Sequence, residues 1–231
     1  MSTLSVIATP IGNLEDITLR ALDVLRRADI VLCEDTRMTK RLLDKYGITV
    51  ATMSYHAHSK LSRVAEIISL LKEGKNIALV SDAGTPGISD PGAELIGKIR
   101  LECAAEIASG DLKVEAIPGP SALVAALSMS GVPCADFTFL GFLPHKKGRQ
   151  TLFKEIKDSE RTMVFYESPH RIMKTLETLE NLGLADKKIT VCRELTKIYE
   201  EVVQGSASEV QKYFENNPDK VRGEFVVIVS R

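Results

Sequence analysis

The chain has 231 residues, enough for one large domain or two compact ones of roughly 100–200 residues each. With 44% apolar and 26% charged residues, its composition is that of an average globular protein and excludes disordered and disulfide-rich classes. The 30 Lys and Arg nearly balance the 31 Asp and Glu, giving a net charge of −1. A global basic field is therefore excluded, and any nucleic acid must be bound through a local patch.

The first half of the chain alternates short β-branched runs with helical periodicity or with Gly- and Pro-rich loops. This alternation predicts a mostly parallel α/β sheet. In the first predicted helix, Leu22, Leu25 and Ala28 share a face and Asp16 stands at the N-cap, and Leu61–Glu73 predicts another helix. The predicted strands are Leu4–Ala8, Asp29–Cys33, Val50–Tyr55, Asn76–Val80 and Lys113–Ile117.

After Pro118-Gly119-Pro120 the pattern restarts, which predicts two α/β domains spanning 1–117 and 118–231. Helices are predicted at Ser121–Ser130, Gln150–Lys157, Arg171–Leu182 and Ala207–Phe214. Strands are predicted at Phe137–Phe142, Thr162–Tyr166, Lys188–Arg193, Glu200–Gln204 and Glu224–Val229.

Targeting, redox and metal signals are weak in this sequence. The segment MSTLSVIATP lacks the basic and apolar regions of a signal peptide, and no apolar stretch approaches the roughly 20 residues that span a bilayer. A cytoplasmic location is expected.

His56 and His58 have no nearby carboxylate pair, so no metal site is expected. The four cysteines lie far apart and are predicted to be reduced core residues: Cys33, Cys103, Cys134 and Cys192.

Open α/β sheets bind ligands at the carboxyl ends of their strands, so the loops 9–13, 34–37, 81–92 and 118–122 are the first candidates. The 81–92 loop exceeds the usual length of about 2–6 residues. Its glycines allow the backbone to come close to a ligand. None of these loops matches a P-loop or a dinucleotide fingerprint.

The second half offers ionisable groups directly after predicted strands, in FYESPHR (165–171) and RELTK (193–197). Two basic clusters are candidates for phosphate contacts. For the two motifs and the two basic clusters alike, the alternative is a charged surface that is exposed to solvent and binds nothing. One cluster consists of Arg37, Lys40, Arg41 and Lys45, and the other of His145, Lys146, Lys147 and Arg149.

Eight motifs in order are specific enough to indicate a family. They are IATPIGNLEDITLRAL, CEDTRMTKRLL, ALVSDAGTPGISDPG, PGPSA, FLGFLP, FYESPHR, RELTK and GEFVVIV. Together they cover the chain from about Val6 to Val229. The sequence resembles the bacterial 16S ribosomal RNA (cytidine-2′-O)-methyltransferases of the tetrapyrrole methylase superfamily.

The resemblance implies two α/β domains with S-adenosylmethionine bound in the cleft between them. It also implies a homodimer that methylates the 2′-hydroxyl of a cytidine in the decoding centre of 16S rRNA, with the small ribosomal subunit as partner. The cofactor contacts implied by the resemblance are Pro10, Asp82, Ala83, Gly84, Thr85, Pro86, Ser121, Ala122, Tyr166, Leu195, Gly223 and Glu224.

Methyl transfer to a hydroxyl also requires a proton acceptor. The candidates, in order, are Glu167, His170 and Lys197, the last only if burial lowers its pKa. The alternative for Glu167 is that it pairs with Arg171 and stiffens its loop. Arg171 and Arg193 are predicted to hold phosphates, because a guanidinium stays protonated and forks onto oxygens.

Two other functions stay open on the sequence alone. The chain could keep the superfamily chemistry and methylate a tetrapyrrole or another small molecule. It could instead be a noncatalytic module that binds the cofactor or rRNA during ribosome assembly. The basic clusters and the motifs EDTR and ESPHR favour RNA as the substrate.

Overall fold

The computed structural model describes residues 1–56, 61–184 and 186–231. These residues form two compact units, Met1–Ser121 and Ala122–Arg231, which we call unit 1 and unit 2.

Unit 1 is built on a five-stranded sheet in which every pair of neighbouring strands is parallel. The strand order is β3-β2-β4-β1-β5, so the carboxyl ends of all five strands lie at one edge. The strands are β1 (Ser2–Ile7), β2 (Ile30–Cys33), β3 (Ala51–Ser54), β4 (Ile77–Leu79) and β5 (Leu112–Ile117).

Helices cover both faces of this sheet, because successive strand residues point to opposite sides. Leu32 packs with the residues of α3 and α4, while its neighbour Val31 packs with those of α1 and α2. Both faces are therefore apolar. The helices are α1 (Leu19–Arg27), α2 (Thr36–Lys45), α3 (Leu61–Lys72), α4 (Gly92–Glu102) and α5 (Ala104–Ser109).

The start of α1 differs from the prediction. Asp16 ends a short 3₁₀ turn at Leu14–Asp16, and Thr18 is the N-cap, where its side chain accepts a hydrogen bond from the Ala21 amide. The Asp16 prediction is wrong because the chain completes that turn before the helix begins, leaving Thr18 next to the orphan amides. Helices α4 and α5 were not predicted from the sequence.

Unit 2 is built on a mixed sheet with strand order β6-β7-β10-β8-β9. Only β6 and β7 are parallel, and the other neighbours are antiparallel. Phe225 at the start of β10 pairs with both Glu167 and Arg193, so the ends of β7 and β8 share an edge with the start of β10. The strands are β6 (Phe137–Phe142), β7 (Thr162–Glu167), β8 (Lys188–Arg193), β9 (Glu201–Gly205) and β10 (Phe225–Ser230).

The core of unit 2 lies between this sheet and three helices, where Phe153, Phe165 and Phe214 are fully buried. Cys192, on the other face, lies against the Ala126 carbonyl of α6. The helices are α6 (Ala122–Ser130), α7 (Arg149–Asp158), α8 (Ile172–Asn181) and α9 (Ala207–Asn216).

The predicted fold class, α/β in both halves, is confirmed. Cys33, Cys103 and Cys192 are buried thiols as predicted, but the prediction for Cys134 is wrong, since it lies exposed ahead of β6. Within the described residues, none of the helices has the length and apolar character needed to span a bilayer.

Candidate functional site

In unit 1 the loops that follow three neighbouring strands are joined by hydrogen bonds. Thr9, after β1, exchanges backbone hydrogen bonds of 2.9 and 3.0 Å with Gly84, after β4. The Thr9 hydroxyl donates to the Ser81 carbonyl at 3.1 Å, and the Thr85 hydroxyl donates to the Pro120 carbonyl at 3.1 Å. The implied cofactor residues of unit 1 lie in these loops: Pro10, Asp82, Ala83, Gly84, Thr85, Pro86 and Ser121.

Gly84 is closely packed within this loop cluster. Its φ is +81°, in the left-handed region that favours glycine, and it is buried. A Cβ there would lie 3.4 Å from Ile11 Cγ2 and 3.8 Å from the Pro120 carbonyl oxygen. The close approach of this loop's backbone to a ligand, which the sequence indicated, stays a prediction.

Carboxylates surround the exposed part of the same loop. The Asp82 carboxylate accepts a 2.9 Å hydrogen bond from the Asp35 amide. Burial raises the pKa of Glu34, the hydrogen bond from the Asp82 amide lowers it, and the charges of Asp82 and Asp90 raise it further; the net pKa lies above its ordinary value. Asp90 accepts hydrogen bonds from the amides of Gly87 and Gly92, which holds the turn before α4.

The basic cluster of unit 1 lies on α2. Arg37 pairs with Asp35 at 2.6 Å, and hydrogen bonds from the Arg37 side chain and amide lower the pKa of Asp35 to about 2. Lys40 and Arg41 are exposed on the same helix. Arg37, Lys40 and Arg41 are therefore accessible to solvent, and their contact with phosphates stays a prediction.

In unit 2, Tyr166 on β7 lies half-buried beside two aromatic rings. Its hydroxyl accepts a 3.2 Å hydrogen bond from the Leu123 amide at the start of α6, next to Ala122. The ring meets Phe139 and Phe142 edge-on, with centroids 4.9 and 5.3 Å apart. Two of the implied cofactor residues, Ala122 and Tyr166, therefore lie close together.

Glu167, the first base candidate, is 1% exposed and both of its carboxylate oxygens are occupied. Oε1 accepts from Arg171 Nη2 at 2.7 Å and from the Ser168 amide at 2.9 Å. Oε2 accepts from the Thr175 hydroxyl at 2.7 Å and from Arg149 Nη2 at 3.4 Å. This geometry favours the alternative for Glu167, in which it stiffens its loop. His170 lies exposed in that loop.

The RELTK loop after β8 has a strained backbone. Glu194 and Thr196 have φ values of 49° and 64°, which are costly for residues with a side chain. Gly223, with φ +85°, packs against Glu194 so closely that a Cβ would overlap its carboxylate. The implied cofactor residues Leu195, Gly223 and Glu224 are thereby held around one carboxylate.

Lys197, the third base candidate, lies 2.8 Å from both Glu194 and Glu224. Burial lowers the pKa of Lys197, but the hydrogen bonds and charges of the two carboxylates offset this, and the net pKa lies above its ordinary value. Lys197 therefore stays protonated at neutral pH, so the condition set for its role as a base is not met.

Three arginines predicted to contact RNA are turned into the protein. Arg149 and Arg193 are 8% and 6% exposed, and the Arg171 side chain is 17% exposed. Arg193 donates to the carbonyls of Tyr199 and Arg222 and pairs with Glu201. The prediction that these guanidinium groups face phosphates does not fit this geometry, because each is already bound to carboxylate or carbonyl oxygens. Lys146 and Lys147 are exposed.

The similarity of this chain to known proteins identifies its family. A model of the tetrapyrrole (corrin/porphyrin) methylases matches residues 3–211. The chain belongs to this family. The ribosomal RNA small subunit methyltransferase I of Thermotoga maritima is 46% identical over 231 residues, covering 100% of this chain and 99% of that protein. The enzyme of the same name from Bacillus subtilis is 45% identical over 230 residues, covering 99% and 75%.

Two solved structures support the fold at lower identity. The methyltransferase CobJ has a TM-score of 0.71 at 18% identity and covers 100% of this chain and 95% of its own. Diphthine synthase has a TM-score of 0.70 at 14% identity and covers 100% and 90%. The family indicated by the eight motifs is confirmed.

Sequence reasoning missed Thr175 in this tetrapyrrole methylase. It lies on the apolar face of α8, between Ile172 and Leu179, and is fully buried. A hydroxyl on an otherwise apolar helix face signals a buried polar partner, which here is Glu167.

No group of three or more His, Cys, Asp or Glu side chains suitable for a metal ion occurs among residues 1–56, 61–184 and 186–231. His58, considered above, lies outside these residues.

Proposed function

We propose that this tetrapyrrole methylase is an S-adenosylmethionine-dependent methyltransferase of 16S rRNA that modifies the 2′-hydroxyl of a cytidine. The observation that carries the proposal is the full-length similarity, at 46% identity, to a relative named for ribosomal RNA methylation. The eight ordered motifs and the exposed basic clusters on α2 and ahead of α7 support it.

When bound, S-adenosylmethionine supplies a methyl group on a positively charged sulfur. In unit 1 we assign its contacts to Pro10, Ser121 and the segment 82–86. The residues fit such a ligand, because Gly84 provides the φ of +81° that this turn needs and the adjoining Asp82 and Ala83 are exposed. In unit 2 we assign contacts to Ala122, Tyr166, Leu195, Gly223 and Glu224, where the half-buried Tyr166 ring offers an apolar surface for adenine.

In the proposed reaction the ribose oxygen forms a bond to the methyl carbon, the carbon–sulfur bond breaks, and the hydroxyl proton passes to a base. The donor is already activated by its charge, so alignment of the three atoms supplies much of the catalysis. Among the three base candidates we assign the proton to His170, which is exposed and carries an imidazole, the side chain most often used as a general base. Glu167 is enclosed by four donors and Lys197 is protonated.

Phosphate contacts are assigned to the exposed basic side chains alone, namely Arg37, Lys40, Arg41, Lys146 and Lys147. We further propose a homodimer that acts on the small ribosomal subunit in the cytoplasm, as the resemblance implies. Light scattering of the purified protein tests the homodimer directly.

The decisive experiment offers labelled S-adenosylmethionine with 30S subunits, free 16S rRNA and a tetrapyrrole precursor. We expect label in one cytidine of the RNA, at a position that resists alkaline cleavage because its 2′-oxygen is blocked. Label in the tetrapyrrole alone would replace the RNA proposal with a small-molecule substrate. No label in any acceptor, with cofactor or rRNA still bound, would favour a noncatalytic binding module. A His170→Ala variant that keeps full single-turnover methylation would remove the assigned base.

A further inference from the structure

We infer that Glu167, Arg149 and Arg171 are positioning residues, which set the loop 143–148 so that Lys146 and Lys147 meet RNA phosphates. The inference rests on the proposed function for its substrate. It assigns the ESPHR motif a role in RNA binding that needs no direct contact with RNA.

One buried carboxylate holds both guanidinium groups. Glu167 Oε1 accepts from Arg171 and Oε2 accepts from Arg149, at 2.7 and 3.4 Å. The Thr175 hydroxyl lies between the partners, donating to Glu167 at 2.7 Å and accepting from Arg149 at 2.7 Å. The two arginines are thereby fixed relative to each other, although they are 22 residues apart in the sequence.

Each guanidinium also donates to the backbone where the loop begins. Arg171 Nη1 donates to the Leu143 carbonyl at 2.7 Å, and Arg149 Nη1 donates to the Pro144 carbonyl at 3.3 Å. At the other end, the Arg149 amide donates to the Lys146 carbonyl at 3.2 Å, just before α7. The loop is thus tied at both ends, and its exposed residues are His145, Lys146, Lys147 and Gly148.

The energetics favour a role in geometry over a role in stability. Buried ion pairs are often no more stabilising than apolar residues of the same volume, because desolvation offsets the attraction. A guanidinium fork, however, fixes two directions at once. Two guanidinium groups that each join Glu167 to one of two consecutive carbonyls therefore specify one loop conformation, and this matters where two lysines must match the spacing of phosphates.

A double-mutant cycle tests this inference. Arg171→Lys keeps the charge but loses the fork, and Lys146→Ala/Lys147→Ala removes the groups that the loop presents. We expect Arg171→Lys to weaken binding of 16S rRNA about threefold in the wild-type background and to leave it unchanged in the background without the lysines. Cofactor affinity, measured by calorimetry, should stay unchanged in all variants.

A direct contact between Arg171 and a phosphate would give the opposite pattern. Arg171→Lys would then weaken binding equally in both backgrounds, and Arg171→Ala would lower the salt dependence by about one ion whether or not the lysines are present. Either result overturns the inference.

A second readout needs no RNA and so separates the inference from the proposed function. Trypsin cleavage after Lys146 and Lys147 should become faster in Arg171→Lys and in Thr175→Val, whereas cleavage after the exposed Lys212 on α9 should not change. Unchanged cleavage at the loop, or equal acceleration at both places, overturns the positioning role. If the loop is cleaved faster in these variants but the protein binds no rRNA, the arginines still position the loop. The proposed substrate is then wrong.

Discussion

The loops at the carboxyl ends of β1, β4 and β5 in unit 1 are held by different forces from those at the corresponding edge of unit 2. In unit 1 the contacts are hydrogen bonds of backbone and hydroxyl groups, such as the backbone pair between Thr9 and Gly84 and the bond from the Thr85 hydroxyl to the Pro120 carbonyl. In unit 2 the loops are tied by charged side chains, chiefly Glu167 with its two arginines and Glu194 with Lys197. The first arrangement joins the loops through uncharged groups, while the second fixes where exposed charges lie.

The strand directions account for this difference. In the parallel sheet of unit 1 the edge collects only loops that leave strands, and Gly84 allows two of these backbones to touch. In the mixed sheet of unit 2 the start of β10 lies between the ends of β7 and β8. Segments distant in sequence must be joined there, and the long side chains of Arg149, Arg171 and Arg193 reach between them.

The largest effect is expected on cofactor binding, when a side chain is introduced at Gly84 in unit 1. Gly84→Val should abolish S-adenosylmethionine binding in a folded protein, because a β-branched residue disfavours φ +81° and its methyl groups would enter the space beside Ile11. Gly47→Val is the matched control, since Gly47 has φ +61° but no atoms within 4 Å of its would-be Cβ. Unchanged calorimetric affinity in folded Gly84→Val would remove this loop from the cofactor site.

The second-largest effect is expected on stability, where loss of a carboxylate should have different costs in the two units. Glu167→Ala leaves two buried guanidinium groups without their partner and should lower the free energy of unfolding by about 3–5 kcal/mol. Glu34→Gln in unit 1 should cost nothing or stabilise, because it removes repulsion from Asp82 and Asp90. Urea denaturation monitored by circular dichroism measures both. Equal losses in the two variants would contradict the distinction between the edges.

The parts of this structure that the sequence predicted depend on local patterns. Alternating strands and helices predicted the strand ends, and so the loops at 9–13, 81–92 and 193–197 where the implied cofactor residues lie. The burial of Arg149 was not predictable in this way. In HKKGR it follows two exposed lysines, and the carboxylate that neutralises it belongs to Glu167, 18 residues further on, beside the Thr175 hydroxyl, 26 residues further on. Local pattern does not encode which distant carboxylate a cation meets.

The start of α1 illustrates the same limit at short range. Asp16 and Thr18 are both suitable N-caps, and the periodicity of the apolar residues does not distinguish between them. The choice depends on the 3₁₀ turn at Leu14–Asp16, to which Tyr46 on the far side of α2 donates a hydrogen bond at the Leu14 carbonyl. A contact across 32 residues therefore helps to hold the turn that precedes the helix.

A smaller effect, and one that depends on pH, is expected in the RELTK loop. Burial raises the pKa of Glu194, but the hydrogen bonds from Lys197 and the Glu224 amide, with the Lys197 charge, outweigh this and lower the net pKa. A carboxyl with a lowered folded-state pKa stabilises the protein above its unfolded pKa and loses that contribution as the pH falls through the folded value. Glu194→Gln should therefore cost about 1–2 kcal/mol at pH 7.

That cost should stay constant down to about pH 4.5 and then shrink, because the wild-type carboxyl becomes protonated. Urea denaturation of both proteins across pH 3–7 measures the difference. A cost that grows as the pH falls would have the wrong sign for a carboxylate stabilised by Lys197.

The smallest effects are expected at the two basic clusters, one on helix α2 and the other on the loop 143–148. Lys40→Ala/Arg41→Ala in unit 1 and Lys146→Ala/Lys147→Ala in unit 2 should each weaken rRNA binding several-fold and lower the salt dependence by about one ion for each charge removed. Lys174→Ala/Lys212→Ala, on exposed positions of α8 and α9, is the control and should leave the slope unchanged. Because these side chains are exposed, cofactor affinity and folding should be preserved in all three variants. If one pair leaves the slope at its wild-type value, that cluster is ordinary solvated surface, and the RNA is bound from the other unit.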